Sequence, residues 1–275
     1  KALRAEMEKR GITVYVVPTA DFHESEYVGD HFKARKFITG FTGSAGTAVI
    51  TLDEAGLWTD GRYFVQAENQ LKDSTVTLYR MGEEGVPTVD EFVKDRLKEG
   101  GCLGFDGRVV NGTWGGRLEK IAAEKNVSMH VTEDLIDLIW EDRPALSKQP
   151  LFILEEKYSG KSTADKIADL RKAMKENGAD VHILTSLYDI AWLLNIRGND
   201  IDYVPVVLSY LVLNETECIW FLQEEVVDDK IRAYLEENHI TTKPYDAIYD
   251  YVPEIPADAV VLMNRGTVSA PANKS

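Results

Sequence analysis

One spaced pattern occurs twice in this chain. Leu3-Arg4-x-x-Met7-x-x-x-Gly11-x-x-Val14-x-Val16 returns with the same spacing as Leu170-Arg171-x-x-Met174-x-x-x-Gly178-x-x-Val181-x-Ile183. A duplication constrains a fold strongly, because each copy must build the same kind of unit. In both copies Leu and Met four residues apart make one helical stripe, Gly follows the last turn, and an apolar run begins. The pattern predicts helix, left-handed stop, strand. After an insertion in the first copy the match resumes. Phe37-Ile38-x-x-Phe41-x-Gly43 aligns with Trp192-Leu193-x-x-Ile196-x-Gly198, read as a second short helix ended by Gly. Leu52-Asp53-Glu54 and Trp58 then align with Leu213-Asn214-Glu215 and Trp220, polar turns between apolar strands at 47–52 and 57–59 and at 206–213 and 218–222.

Further helices are expected at 89–97, 114–125, 228–238 and 245–252, each leading to a short strand. Hairpins mixed with helical crossovers imply mixed sheets flanked by helices, an α/β class with two tandem domains, 1–150 and 151–275. Pro144 and Pro150 interrupt the pattern at the join. The chain starts at Lys1 without Met and stops at Ser275 after a strand-like run. It is expected to be a piece of a longer protein, with its second domain cut short.

Composition narrows the partners. Against 31 Lys and Arg stand 46 Asp and Glu, a formal charge of −15, with 25 acids and 19 bases through residue 150 and 21 and 12 after it. Nucleic-acid binding and anionic membrane surfaces both draw on excess basic charge, so neither is expected. No run of 18 apolar residues occurs, and nothing should span a membrane. Cys102 and Cys218 stand alone, without a CxxC pair, and read as buried, inert thiols in a reducing compartment.

Four stretches invite a chemical reading. The glycine-rich segment Thr39-Gly40-Phe41-Thr42-Gly43-Ser44-Ala45-Gly46-Thr47 fits neither phosphate loop nor nucleophile elbow, since Thr42 occupies the place of the first Gly in GxSxG. Its glycines are expected to supply positive φ and close backbone approach. The loop at 18–30 holds Asp21, His23, Glu24, Glu26 and Asp30 without metal-ligand spacing, and His23 is expected in solvent. His182, in the strand of the second copy, is read as a satisfied core residue. In Trp58-Thr59-Asp60-Gly61-Arg62-Tyr63-Phe64, Arg62 projects a guanidinium fork from a strand-to-helix turn, suited to a carboxylate ligand or to pairing with Asp60. Asp189 reads as the N-cap of a short helix, with Asn195, Arg197, Asn199 and Asp200 gathered at its far end and Trp192 in the core.

Taken together, His23-Glu24-Ser25-Glu26-Tyr27, the glycine-rich segment and Trp58–Phe64 resemble the N-terminal domain of three-domain Xaa-Pro aminopeptidases, the aminopeptidase P family. Asp134-Leu135-Ile136-Asp137-Leu138-Ile139-Trp140-x-Asp142-Arg143-Pro144 resembles the end of that domain. The stretch 189–200, followed by Pro205-Val206-Val207-Leu208-Ser209-Tyr210, resembles the second. The resemblance runs along essentially the whole chain. It implies two creatinase/prolidase N-terminal-type domains, with the catalytic pita-bread domain lying outside these residues. That domain would hold two divalent metal ions, manganese in this family, for hydrolysis of the bond before proline; no cofactor is expected on residues 1–275. The resemblance also implies a cytoplasmic homodimer acting on proline-containing peptides, this chain packing with its own catalytic domain. Glu26 and Arg62 are carried over as substrate or neighbouring-subunit contacts. No catalytic residue and no metal ligand is assigned within the chain, and the 275 residues alone are expected to be inactive. The alternative is a stand-alone binding or assembly module without peptidase activity.

Overall fold

The computed structural model describes residues 1–269. Contacts divide them into two compact units. The first comprises Lys1–Phe22, Asp30–Ala145 and Ser269; the second comprises His23–Gly29 and Leu146–Val268. Residues 270–275, where the strand-like end of the sequence falls, lie outside the described residues.

In the first unit α1 (Ala2–Lys9) turns at Gly11, φ +67°, into β1 (Val14–Pro18), so the helix, left-handed stop and strand follow as the pattern predicts. After α2 (Ala34–Thr39) come β2 (Thr47–Thr51), β3 (Ala55–Thr59), α3 (Phe64–Leu71), β4 (Thr77–Arg80), α4 (Val89–Arg96), β5 (Cys102–Gly104), α5 (Gly112–Glu124) and β6 (Ser128–His130). The sheet order is β4-β3-β2-β1-β5-β6, antiparallel across β1, β2 and β3 and parallel elsewhere. Every residue of β1 is buried, as a central strand covered on both faces requires. Leu3 and Met7 of α1 pack with Tyr15, Val17, Ala48 and Ile50 on one face. Val14, Val16, Val49 and Trp58 pack with α4 and α5 on the other. Local signals set the helix starts: Thr88 and Glu91 form a reciprocal capping box, and Asn111 accepts from the Trp114 amide at 2.9 Å.

The second unit begins with β7 (Phe152–Ile153) and α6 (Glu156–Ser159). It continues through α7 (Thr163–Glu176), β8 (Val181–Leu184), α8 (Leu187–Leu194), β9 (Ile196–Arg197), β10 (Ser209–Asn214), β11 (Cys218–Leu222), α9 (Asp229–Glu237), β12 (Thr241–Pro244), α10 (Ile248–Tyr251) and β13 (Val261–Leu262). β7 and β9 pair as a two-stranded ribbon, and the main sheet runs β12-β11-β10-β8-β13. That order repeats β4-β3-β2-β1-β5, with the same parallel and antiparallel senses. The duplication is therefore topological.

Strand register corrects the sequence alignment in detail. Val14 faces Thr51, whereas its repeat counterpart Val181 faces Asn214. Following the hairpins onward, Leu57 faces Ala48 and Trp220 faces Leu211, and Trp58 and Phe221 come next in line. The structural counterpart of Trp58 is thus Phe221, one residue from the predicted Trp220. Strand side chains alternate faces, so a slip of one turns a residue to the other side of the sheet. Trp58 lies with α4 and α5, but Trp220 packs with Ile167 and Met174 on the α7 side. The second helices also end earlier than expected. α2 stops at Gly40, φ +74°, and α8 at Asn195, φ +51°, rather than at Gly43 and Gly198. Asn is the non-glycine residue that best tolerates this conformation.

Candidate functional site

The exposed polar end of the first sheet is organised around a buried cation. Arg35 in α2 is 3% exposed and directs Nη1 to the Phe41 carbonyl at 2.6 Å and Nε to Thr19 Oγ1 at 2.9 Å. Its Nη2 donates to the Gly43 carbonyl, and the guanidinium sits over the Phe41 ring. Burial pulls the Arg35 pKa down to about 10. The sequence offered no signal for this role; an arginine on a short helix reads as surface. With Arg35 gathering these carbonyls, the glycine-rich loop runs close to β3. A Cβ on Gly46 would lie 2.9 Å from the Trp58 carbonyl oxygen. The loop is also tied to α3: the Thr42 amide donates to Gln70 Oε1 at 2.9 Å, and Gln66 and Gln70 both donate to Thr42 Oγ1. Ser44 Oγ meets the Tyr63 hydroxyl at 2.6 Å.

Arg62 stands beside that loop, in the turn before α3. The Asp60 carboxylate accepts its amide at 3.1 Å, its Nε at 2.8 Å and its Nη2 at 2.8 Å. This two-pronged pairing holds the fork on a rigid turn. The Arg62 hydrogen bonds pull the Asp60 carboxyl down to about 2, so the pair is ionised throughout the physiological range. The Arg62 side chain remains 69% exposed, and its guanidinium carbon lies 5.2 Å from the Tyr63 ring centroid.

Glu26 belongs to the second unit, in the segment His23–Gly29, and is exposed there. His23, expected in solvent, is 2% exposed. The loop that holds it does not stay with the strand that precedes it, and contacts set by the fold govern its burial. Among the described residues no three or more His, Cys, Asp or Glu side chains form a group able to hold a metal ion.

The 189–200 stretch departs from its reading at two points. Ser186, not Asp189, caps α8, its Oγ accepting the Asp189 amide at 3.3 Å. Trp192 is 56% exposed, because it lies on the outer face of α8 while Leu193 and Leu194 face inward. Its ring covers the ammonium of Lys166, 4.4 Å from the centroid; Lys166 is itself 1% exposed and donates to the Trp192 carbonyl and to Asn195 Oδ1, each at 2.7 Å. Arg197 donates to the carbonyls of Ala191 and Ile196. These cations therefore satisfy the carbonyl end of α8. Asp200 is buried, accepts the amides of Leu208 at 2.9 Å and Gln149 at 3.2 Å, and has its pKa raised by burial. His182 lies in β8 as read but is only half-buried, its Nδ1 3.0 Å from the Leu262 carbonyl. Cys102 and Cys218 are both buried free thiols, and burial pushes Cys218 up to about 12.

Residues 1–139 match the creatinase/prolidase N-terminal domain family, and residues 142–274 match a second family of the same description. The chain belongs to the creatinase/prolidase N-terminal domain family, as a tandem pair. The chain is 41% identical over 257 residues to a probable Xaa-Pro aminopeptidase P of Coprinopsis cinerea, covering 93% of this chain and 41% of that protein. It is 37% identical over 263 residues to Aminopeptidase P2 of Arabidopsis thaliana, covering 94% and 37%. The crystal structure of an X-prolyl aminopeptidase from Caenorhabditis elegans, described as a cytosolic enzyme with a dinuclear active site, superposes with a TM-score of 0.84 at 35% identity, covering 88% of this chain and 40% of that one. The chain thus spans about two fifths of the length of these relatives. No helix among the described residues is long and apolar enough to cross a membrane.

Proposed function

We propose that this chain is the two-domain N-terminal part of a cytoplasmic Xaa-Pro aminopeptidase, inactive by itself. The tandem pair of N-terminal-type domains, matched over 93% of the chain at 41% identity, carries the reading. Because the described residues hold no group of three or more His, Cys, Asp or Glu side chains able to bind a metal ion, none of them is assigned to the two-metal centre of such an enzyme. No hydrolytic step is assigned to them. Their part is to shape substrate access and to support a homodimer with the catalytic domain.

Arg62 and Glu26 are the residues proposed to act in that access. Arg62 presents a charged fork, oriented by Asp60 and largely in solvent, suited to a peptide carbonyl or carboxylate or to a neighbouring loop. Glu26 presents an exposed carboxylate, complementary to an amino terminus.

The purified chain, incubated with an Xaa-Pro-Xaa peptide and manganese, is expected to release no proline-dependent product. Cleavage above background overturns the proposed inactivity. In the enzyme extended past Ser275, Arg62→Ala is expected to lower turnover with metal content unchanged. Wild-type kcat and KM in that variant would make Arg62 a structural residue only.

A further inference from the structure

The segment His23–Gly29 packs within the second compact unit although it follows β1 in sequence. Its buried anchor is His23. Nδ1 lies 2.9 Å from the Thr185 carbonyl oxygen, which can only accept, so Nδ1 carries the proton. In the neutral imidazole Nε2 then accepts, and the Tyr245 hydroxyl 2.6 Å away donates to it. The ring leans on Tyr210, 4.5 Å between centroids, and the Tyr210 hydroxyl lies 3.1 Å from that of Tyr249. One side chain thereby engages the residue after β8, strand β10 and the turn opening at Tyr245. Beyond it the backbone enters the left-handed region at Glu24, φ +55°, a conformation that a non-glycine residue holds only when its surroundings impose it. Glu26 and Tyr27 then emerge into solvent, Tyr27 46% exposed.

We propose that His23 is a positioning residue: its two directional hydrogen bonds fix the segment that carries Glu26, and so set where the Glu26 carboxylate meets the peptide. The first half stands on geometry alone, while the second rests on the reading that Glu26 acts in substrate access. A purely packing role would be met by phenylalanine, which fills the same space without either bond. The hydrogen-bonding role would not.

Hydrogen exchange on the chain itself tests the anchor. His23→Phe and Tyr245→Phe are expected to speed exchange at residues 24–27 about tenfold while leaving β8 and β10 unchanged. His23→Gln, which keeps an acceptor for Tyr245, is expected to fall between them and wild type. In the enzyme extended past Ser275, His23→Phe is expected to lower kcat/KM about tenfold at unchanged metal content, with His23→Gln restoring part of the loss. Wild-type exchange in both phenylalanine variants overturns the anchor. Faster exchange with wild-type kinetics, where Glu26→Gln does lower kcat/KM, overturns the positioning role and leaves the access reading standing. Wild-type kinetics in both Glu26→Gln and His23→Phe, with faster exchange, overturns the access reading and supports the anchor. Should His23→Phe fail to fold, Tyr245→Phe decides, because it keeps the imidazole.

Discussion

In the first unit the tryptophan of the hairpin, Trp58, donates its indole N–H to the Pro87 carbonyl at 2.7 Å and stacks on Tyr79 with centroids 4.1 Å apart. In the second, Trp220 is equally buried, yet its indole N–H has no partner among the described residues. One unit has built a polar partner around its indole, and the other uses the ring as bulk. The two sheets share strand order and strand sense over five strands, but their tryptophans fill opposite faces. A duplicated backbone does not oblige its copies to share a core.

That contrast gives the largest expected effects. Trp58→Ala and Trp220→Ala should each cost about 3–5 kcal/mol, as truncation of a buried aromatic does. Replacement by phenylalanine separates them. Trp220→Phe removes an unpaired buried donor, whose desolvation costs about 1–3 kcal/mol, and should approach neutrality. Trp58→Phe strands the Pro87 carbonyl and should be clearly destabilising. Urea midpoints that fall equally in the two phenylalanine variants would break the comparison.

The helix stops offer the next test. Gly40→Ala puts a side chain into the left-handed region and should cost about 1 kcal/mol. Asn195→Ala meets the same strain and also takes an acceptor from the buried Lys166 ammonium and a donor from the Lys161 carbonyl, so about 3 kcal/mol is expected. Equal losses in thermal melts would show that the asparagine contributes its backbone tolerance alone. Trp192 sharpens the point from the other side. Being half-exposed over Lys166, it should lose under about 1 kcal/mol on change to alanine, the size of an exposed cation–π contact.

The smallest effect depends on pH. Arg10, just before Gly11, donates Nε to Glu133 at 2.5 Å and Nη2 at 2.8 Å. Asn177, just before Gly178, instead caps its own helix through the Ala173 carbonyl. The Arg10 hydrogen bonds pull Glu133 from its ordinary 4.5 down to about 2. A depressed carboxylate stabilises the fold above its unfolded pKa and loses that contribution as pH falls through the folded value. The gap in urea midpoint between wild type and Arg10→Ala should therefore be constant above about pH 5, shrink between pH 4.5 and 2, and close below that. A gap that does not shrink between pH 4.5 and 2 would assign the loss to packing of the arginine stem and to its bond with the Glu6 carbonyl.

Much of the architecture was legible because it is written in local spacing. Leu3 and Met7, Leu170 and Met174, and the glycines that follow them specify helix, stop and strand without reference to the rest of the chain. The Asp60–Arg62 turn was legible for the same reason, its partners being two residues apart. Trp192 and His23 were misread because burial is not a local property. The outer face of α8 and the departure of His23–Gly29 from its own strand follow from distant packing. Arg35 gave no signal at all, since the carbonyls it gathers acquire their geometry only when the glycine-rich loop closes around it.

The sequence alone determined a duplicated α/β chain, most of its order of elements, its family and the Asp60–Arg62 turn, because periodicity, turn chemistry and short-range pairing act between neighbours. Only the tertiary structure decided that Phe221 rather than Trp220 answers Trp58, that Arg35 holds the glycine-rich loop, and that His23 lies buried among tyrosines of the second unit. Each of these turns on register or on contacts between residues far apart in the chain. A shift of one position in a strand reverses its face, and no local spacing records that.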